Sequence, residues 1–331
     1  MGSAFSVPCV DNKNEVILIG TFLENELIRS IKTNNNFHPA LKINLPKQLI
    51  VERHDNLNQI VENGVDAIVA GISSIGIEWF ANEISKFYKN KTPIILLTKG
   101  LAVEDDQLIT LYEKLENILK KNSNKEVNIS SVKGPCLATG LAHKMRTGTV
   151  IANQNLKQAQ KIQNLISTKY YKCEITDDTP GVEFSAAIKN IYSMLIGAAE
   201  GLSNPSETAE IQEKFYLNTA ASLVHRSISE MVEFVSYYSG KVETVYGLAG
   251  LGDLYVSVAG GRNSQMGKYL GKGYLYKDAK ENFMKDTTVE GAQLALEIGP
   301  KIMKNFKENQ FPLMFSILKC VCHNKKLEIN W

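Results

Sequence analysis

The sequence predicts a chain of two unlike parts, an α/β part built on a mostly parallel sheet over residues 1–178 and an all-helical part over residues 179–331. Two patterns and the length carry that expectation. Before Pro180, short unbroken apolar runs alternate with helical stretches: Val16–Ile19 (VILI), Asp66–Ala70 (DAIVA) and Pro93–Leu97 (PIILL). This is the pattern of parallel strands covered on both faces. After Pro180 the apolar period changes from runs to spacings of three and four, which is helical. A chain of 331 residues is also longer than one small core requires and long enough for two domains.

The elements follow in order. Gly2–Pro8 reads as the start of a helix entered directly from a glycine turn. Further strands are expected at Ile129–Val132 and Thr149–Ala152, with a shorter one inside Ser167–Glu174. Helices are expected at Phe22–Lys32, Trp79–Tyr88 and Asp105–Leu119, and Lys121–Lys125 reads as a polar loop. In the second part, Phe184, Ile188, Ile191, Leu195, Ala198 and Leu202 repeat at helical spacing. The other faces of that helix carry Val182, Ala186, Ala187, Met194 and Ile196, so it is apolar nearly all round and belongs at the centre of a domain. Thr208–Tyr238, Thr288–Phe306 and Pro312–Cys322 read as further helices.

Composition removes several function classes. Lys plus Arg total 37 and Asp plus Glu 35, a formal net charge of +2, which points to neither a nucleic-acid partner nor a polybasic membrane anchor. Five cysteines are an odd and sparse count that does not read as a disulfide framework, so a reducing, cytoplasmic setting is expected. The five histidines stand singly, and Cys320-x-Cys322 lacks a second ligand pair, so no metal is expected. The start, MGSAFSVPCVDNKNEV, is no secretory signal. Val65–Trp79 is too short for a membrane span and carries Asp66 and Glu78.

A dinucleotide-binding fold opens with a strand, then G-x-G-x-x-G, then a helix. Gly2 stands where the last glycine of that fingerprint would be. On this reading the strand and first two glycines lie before Met1, and the first domain lacks its opening strand. Val16–Ile19 and Asp66–Ala70 then lose their central partner. A glycine after methionine is also what a tag leaves.

Two features carry chemistry. Tyr246–Gly273 (YGLAGLGDLYVSVAGGRNSQMGKYLGKG) is dense in glycine within a helical region, which implies close backbone approach and tight turns at a ligand. Its Arg262-Asn263 pair suits an anionic substrate, since a guanidinium can clamp a phosphate through two parallel hydrogen bonds. Lys189 lies in the middle of the apolar helix. Such a lysine either snorkels to the surface or is held with its pKa lowered by desolvation, ready for proton transfer near neutrality.

By these residues and the pieces around them, the chain resembles the NAD(P)-dependent glycerol-3-phosphate dehydrogenase family over nearly its whole length. The matching pieces are Gly2-Ser3-Ala4, Phe37-His38-Pro39 with Leu45-Pro46, Ser73-Ser74, Thr98-Lys99-Gly100, Gly134-Pro135, Ala187–Asn190, Gly197–Leu202, Gly250–Leu254, Arg262-Asn263 and Val289–Gly291. The resemblance implies a Rossmann-like domain followed by a helical substrate domain, interconversion of dihydroxyacetone phosphate and sn-glycerol 3-phosphate, and a role in phospholipid supply. It implies Lys189 as general acid and base, Lys99 as the second active-site lysine, and Asp253 as the group that orients or tunes Lys189. Substrate contacts would come from Lys99, Gly134, Asp253, Ser257, Arg262 and Asn263. Cofactor contacts would come from Gly2, Ser3, Ala4, Ser74, Lys99, Ala138, Arg262 and Glu290. A homodimer suits the family, and no metal is needed.

The chain departs from the family's pattern in places. Besides its beginning, Gly140 stands where an acidic residue is usual, Ser73 where a proline is usual, and Gly260-Gly261 precedes Arg262 where a serine is common. Another phosphorylated polyol as substrate, or a non-catalytic homologue that binds phosphorylated ligands, is the alternative. After Val16–Ile19 comes Gly20-Thr21, with neither an acidic residue for ribose hydroxyls nor an arginine cluster for a 2′-phosphate. NAD and NADP both stay open.

Overall fold

The change of period near Pro180 becomes a change of architecture. In the computed structural model, which describes residues 1–88, 92–123, 126–203 and 216–330, the chain divides into two compact units. One comprises Met1–Thr98 and Leu111–Thr179, the other Lys99–Thr110 and Pro180–Trp331. The first is a Rossmann-like sheet unit and the second is helical apart from one hairpin.

The first unit begins with helix α1 (Gly2–Asp11), strand β1 (Ile17–Ile19) and helix α2 (Asn25–Thr33). A small antiparallel pair follows, β2 (Phe37–His38) and β3 (Ile43–Asn44), then β4 (Ile50–Glu52), α3 (Leu57–Glu62), β5 (Ile68–Ala70), α4 (Ile77–Ser85) and β6 (Pro93–Leu96). The chain then enters the second unit for a hairpin, β7 (Leu101–Glu104) and β8 (Gln107–Thr110). It returns with α5 (Leu111–Ser123), β9 (Asn128–Lys133), α6 (Ala138–Ala142), β10 (Thr147–Ala152), α7 (Leu156–Ile166) and β11 (Tyr171–Thr176).

The main sheet has the order β11-β10-β9-β6-β5. Its pairs are parallel except β9–β10, which is antiparallel. The register sets Ile94 opposite Ile129 and Leu96 opposite Ser131. β1 pairs in parallel with β4 in a separate two-stranded sheet. Among the described residues, β1 pairs with no strand but β4, and β5 with no strand but β6. One face of the main sheet packs Ile95 and Ile151 against Phe5 and Val7 of α1 and Ile162 of α7. Each such side chain, fully buried, contributes roughly 1.5–3 kcal/mol.

The helical unit contains α8 (Thr179–Ser203), α9 (Tyr216–Tyr237), α10 (Val242–Tyr246), a π-helical turn at Leu248–Gly252, α11 (Asp253–Val258), α12 (Arg262–Gly271), α13 (Tyr276–Phe283), α14 (Glu290–Asn305) and α15 (Pro312–Cys322). α8 is buried on every face, as its all-round apolar sequence requires. Ile188, Ile191 and Leu195 pack with Leu223 and Phe234 of α9, Ile298 of α14, and Leu313 and Ile317 of α15. Leu101 and Leu108 of the hairpin join the same core.

Two expected elements differ from the structure. Asp105–Thr110 is not the start of a helix: Asp105 and Asp106 turn the hairpin with φ of 49° and 57°, and the helix begins at Leu111. Aspartate tolerates that left-handed conformation, and a two-residue turn with positive φ at both positions matches the twist of paired strands. Of the helix expected from Thr208, residues 208–215 lie outside the described residues, as do residues 124–125 of the expected loop; residues 121–123 close α5.

Candidate active site

The local fold delivers the charged groups by different routes. Lys189 projects from the middle of α8, where Ile188 and Ile191 are fully buried, and is itself only 4% exposed. Asp253 opens α11 directly after the π-helical turn. That turn requires a glycine: a Cβ on Gly250 would stand 2.0 Å from the Val245 carbonyl oxygen. Lys99 stands just before the hairpin, and Gly100 beside it has φ of +151°.

Asp253 bridges the two lysines. Its Oδ1 accepts from Lys189 Nζ at 2.8 Å and its Oδ2 from Lys99 Nζ at 2.5 Å. Lys189 Nζ also donates to Ser257 Oγ, one turn further along α11. An ammonium has three N–H donors, so a third remains for a substrate oxygen. Burial lowers the Lys189 pKa from its ordinary value, and the Lys99 charge lowers it further. Attraction to Asp253 opposes both, and the pKa comes to about 8. The lysine read from the sequence as surface-reaching or held is therefore held.

Arg262 opens α12 and Glu290 opens α14, and their exposed side chains form an ion pair. Asn263 is buried with both ends of its amide occupied. Its Nδ2 donates to Asn190 Oδ1 at 2.9 Å, and its Oδ1 accepts from Gly291 N at 2.9 Å. The structure thus makes Asn263 a tie between α8, α12 and α14, whereas the sequence suggested a substrate contact. Asn190 has no role in the sequence reading beyond its place in a motif; its signal is its position directly after Lys189. Gly267 and Gly271, read from the sequence as approaching a ligand, instead approach the backbone of α8.

The remaining sequence-derived residues belong to the first unit. Gly2, Ser3 and Ala4 form the first turn of α1. Gly2 lies against Gly71 at the end of β5, where a Cβ on Gly71 would stand 2.6 Å from Gly2 Cα. This helix N-terminus has no side-chain cap and Gly2 and Ser3 are half-buried, and uncapped first-turn N–H groups are the kind of donors an anionic group can use. Ser74 begins a short helical turn after β5, Gly134 follows β9 with φ of +137°, and Ala138 begins α6. Among the described residues, no helix is long and apolar enough to cross a membrane, and no cluster of three or more His, Cys, Asp or Glu could hold a metal ion.

A Rossmann-like unit followed by a helical unit that carries this lysine–aspartate–lysine group fits the class that the family matches show, an NAD(P)-dependent oxidoreductase. The chain belongs to the NAD-dependent glycerol-3-phosphate dehydrogenase family, whose N-terminal model matches residues 1–159 and whose C-terminal model matches residues 178–330. It is 31% identical to an NADP(+)-dependent glycerol-3-phosphate dehydrogenase of Archaeoglobus fulgidus, over 99% of this chain and 94% of that protein. It is 29% identical to a glycerol-3-phosphate dehydrogenase [NAD(P)+] of Mesoplasma florum, over 96% and 91%. The fold is that of the glycerol-3-phosphate dehydrogenase of Coxiella burnetii, at a TM-score of 0.79 and 24% identity, over 98% of this chain and 94% of that one. The Plasmodium falciparum enzyme gives a TM-score of 0.81 at 19% identity, over 100% and 93%.

Proposed function

We propose that this chain interconverts dihydroxyacetone phosphate and sn-glycerol 3-phosphate with NAD(P)(H), and that Lys189 moves the proton. The observation that supports this best is the buried Lys189 ammonium, held by Asp253 and Ser257 with one N–H to spare. The nicotinamide, when bound, supplies the hydride that reduces the ketone carbon. As charge builds on the carbonyl oxygen, the Lys189 ammonium stabilises it and then donates its proton. Asp253 keeps the ammonium aimed and offsets the repulsion between Lys189 and Lys99. In the reverse direction the neutral Lys189 amine takes the hydroxyl proton. Arg262 holds the substrate phosphate once Glu290 yields it.

Lys189→Ala tests the reading. Turnover in both directions is expected to fall by roughly 100-fold or more, the scale for losing a general acid–base group, while the Kd for NAD(P)H stays near the parent value. Near-normal turnover with chemistry rate-limiting would remove Lys189 from the mechanism.

A further inference from the structure

Helices α8 and α12 touch backbone to backbone along two facing glycine pairs. A Cβ on Gly197 of α8 would stand 2.3 Å from the Ser264 carbonyl oxygen, and one on Gly201 would stand 2.2 Å from that of Lys268. The reverse contacts are as close: 1.8 Å from a Cβ on Gly267 to the Met194 carbonyl oxygen, and 2.2 Å from one on Gly271 to that of Ala198. Residues advance together along both helices, so the two run parallel. Helix axes pack about 8–10 Å apart when ordinary side chains intervene, and facing glycines spaced by four remove those side chains. Glycine costs a helix interior roughly 0.5–1 kcal/mol relative to alanine, and Gly197 and Gly267 of this seam stand at interior positions.

The seam leads directly to the site. At its N-terminal end Asn263 donates to Asn190, and those residues follow Arg262 and Lys189 in sequence. The separation of α8 and α12 therefore sets the separation of the guanidinium and the ammonium. We propose that Gly267 and Gly271, with Gly197 and Gly201 opposite, are positioning residues that fix the reach between the proton-donating lysine and the phosphate-holding arginine. The seam binds nothing itself. It rests on the proposed role of Arg262, and it makes phosphate recognition a matter of helix spacing as well as charge. A Cβ at Gly267 would meet only backbone, the Met194 carbonyl oxygen at 1.8 Å, its carbon at 2.8 Å and the Ala198 nitrogen at 2.9 Å, none of which can swing aside as a flexible side chain can. The helices must part by about 1 Å, and a misplacement of about that size can cost on the order of 100-fold in rate.

The test is kcat/KM for dihydroxyacetone phosphate and for unphosphorylated dihydroxyacetone, at saturating NAD(P)H. Gly267→Ala and Gly271→Ala are each expected to lower the preference for the phosphorylated ketone by about 10-fold or more. Efficiency with dihydroxyacetone, which does not reach Arg262, should change little. Gly271 is the last residue of α12, so its Cβ pushes on the Ala198 backbone at one end of the seam only, and far-UV circular dichroism establishes that the variant is folded before its preference is read. Gly260→Ala, whose Cβ meets nothing within 4 Å, should leave the preference unchanged. A general loss of folded enzyme lowers both efficiencies equally, so an equal loss or an unchanged preference in folded Gly271→Ala overturns the proposal. Arg262→Lys, measured alongside, separates the two levels: if it leaves the preference intact, the assignment of Arg262 to the phosphate fails first.

Discussion

At the scale of the residue, the chemistry turns on how two ammonium groups share one buried carboxylate. Lys189 at a pKa of about 8 is mostly an ammonium at neutral pH, the form that reduces, and mostly an amine well above it, the form that oxidises. Ketone reduction should therefore decline as pH rises through about 8 and alcohol oxidation should rise through the same point. The sign of the neighbours can be checked. Lys99→Met removes a repelling charge and leaves Asp253 to Lys189 alone, so the limb should move to higher pH. Asp253→Asn removes the attraction and should move it lower. Limbs that stay in place in both variants would show that another group controls the profile. Lys189 was legible in the sequence because a lysine interrupts an otherwise apolar helix. The burial of Asn263 was not, because nothing in Arg-Asn tells whether the amide meets a ligand or another helix.

At the scale of the element, buried polar groups decide where helices end. Glu230 of α9 is buried, and its Oε1 accepts from Leu313 N at 2.8 Å and its Oε2 from Met314 N at 3.0 Å. Tyr192 of α8 donates to Oε2 as well. The carboxylate thus caps α15 from another helix and sits at the favourable end of its dipole. Burial still raises its pKa above the usual carboxylate value, because the three hydrogen bonds offset only part of the desolvation. Glu230→Ala leaves two N–H groups and a phenol without their acceptor. It should cost about 3 kcal/mol in denaturant-induced unfolding, given roughly 1–3 kcal/mol per buried group left unsatisfied. A loss below about 1 kcal/mol would show that water or a shift of α15 replaces the cap. No sequence pattern announces such a cap, since Glu230 and Leu313 lie far apart in the chain. The strands β1, β5, β6, β9 and β10 and helix α15 were legible because period and run length depend on neighbours alone, whereas the two- and three-residue strands β2, β3 and β4 offer too short an apolar run to show a pattern. The β7–β8 hairpin was not, because Asp105-Asp106 followed by a helical stretch reads as a helix start until the backbone shows both aspartates at positive φ.

At the scale of the whole molecule, the order of residues in the chain and the order of the units differ. The segment Lys99–Thr110 leaves the first unit, joins the core of the second, and returns. The change of composition at Pro180 was visible in the sequence, but this excursion was not, because Leu101 and Leu108 look like any apolar pair until their partners are known. Its consequence is that Lys99 reaches Asp253 on a hairpin held by long-range packing. Leu101 is fully buried in the core that contains Ile188 and Ile298. Leu101→Ala should cost about 2–5 kcal/mol of stability and should also loosen the hairpin at the foot of which Lys99 stands. Ile162→Ala removes a comparable side chain from the core of the first unit and serves as the comparison. Under conditions where both variants remain folded, Leu101→Ala should lower kcat for ketone reduction and move the limb near pH 8 upward, as loss of Lys99 does. Ile162→Ala should lower the unfolding midpoint while leaving that limb in place. Equal limbs in the two variants would mean that the place of Lys99 beside Asp253 does not depend on the packing of the hairpin, and that the hairpin contributes stability without contributing to the site.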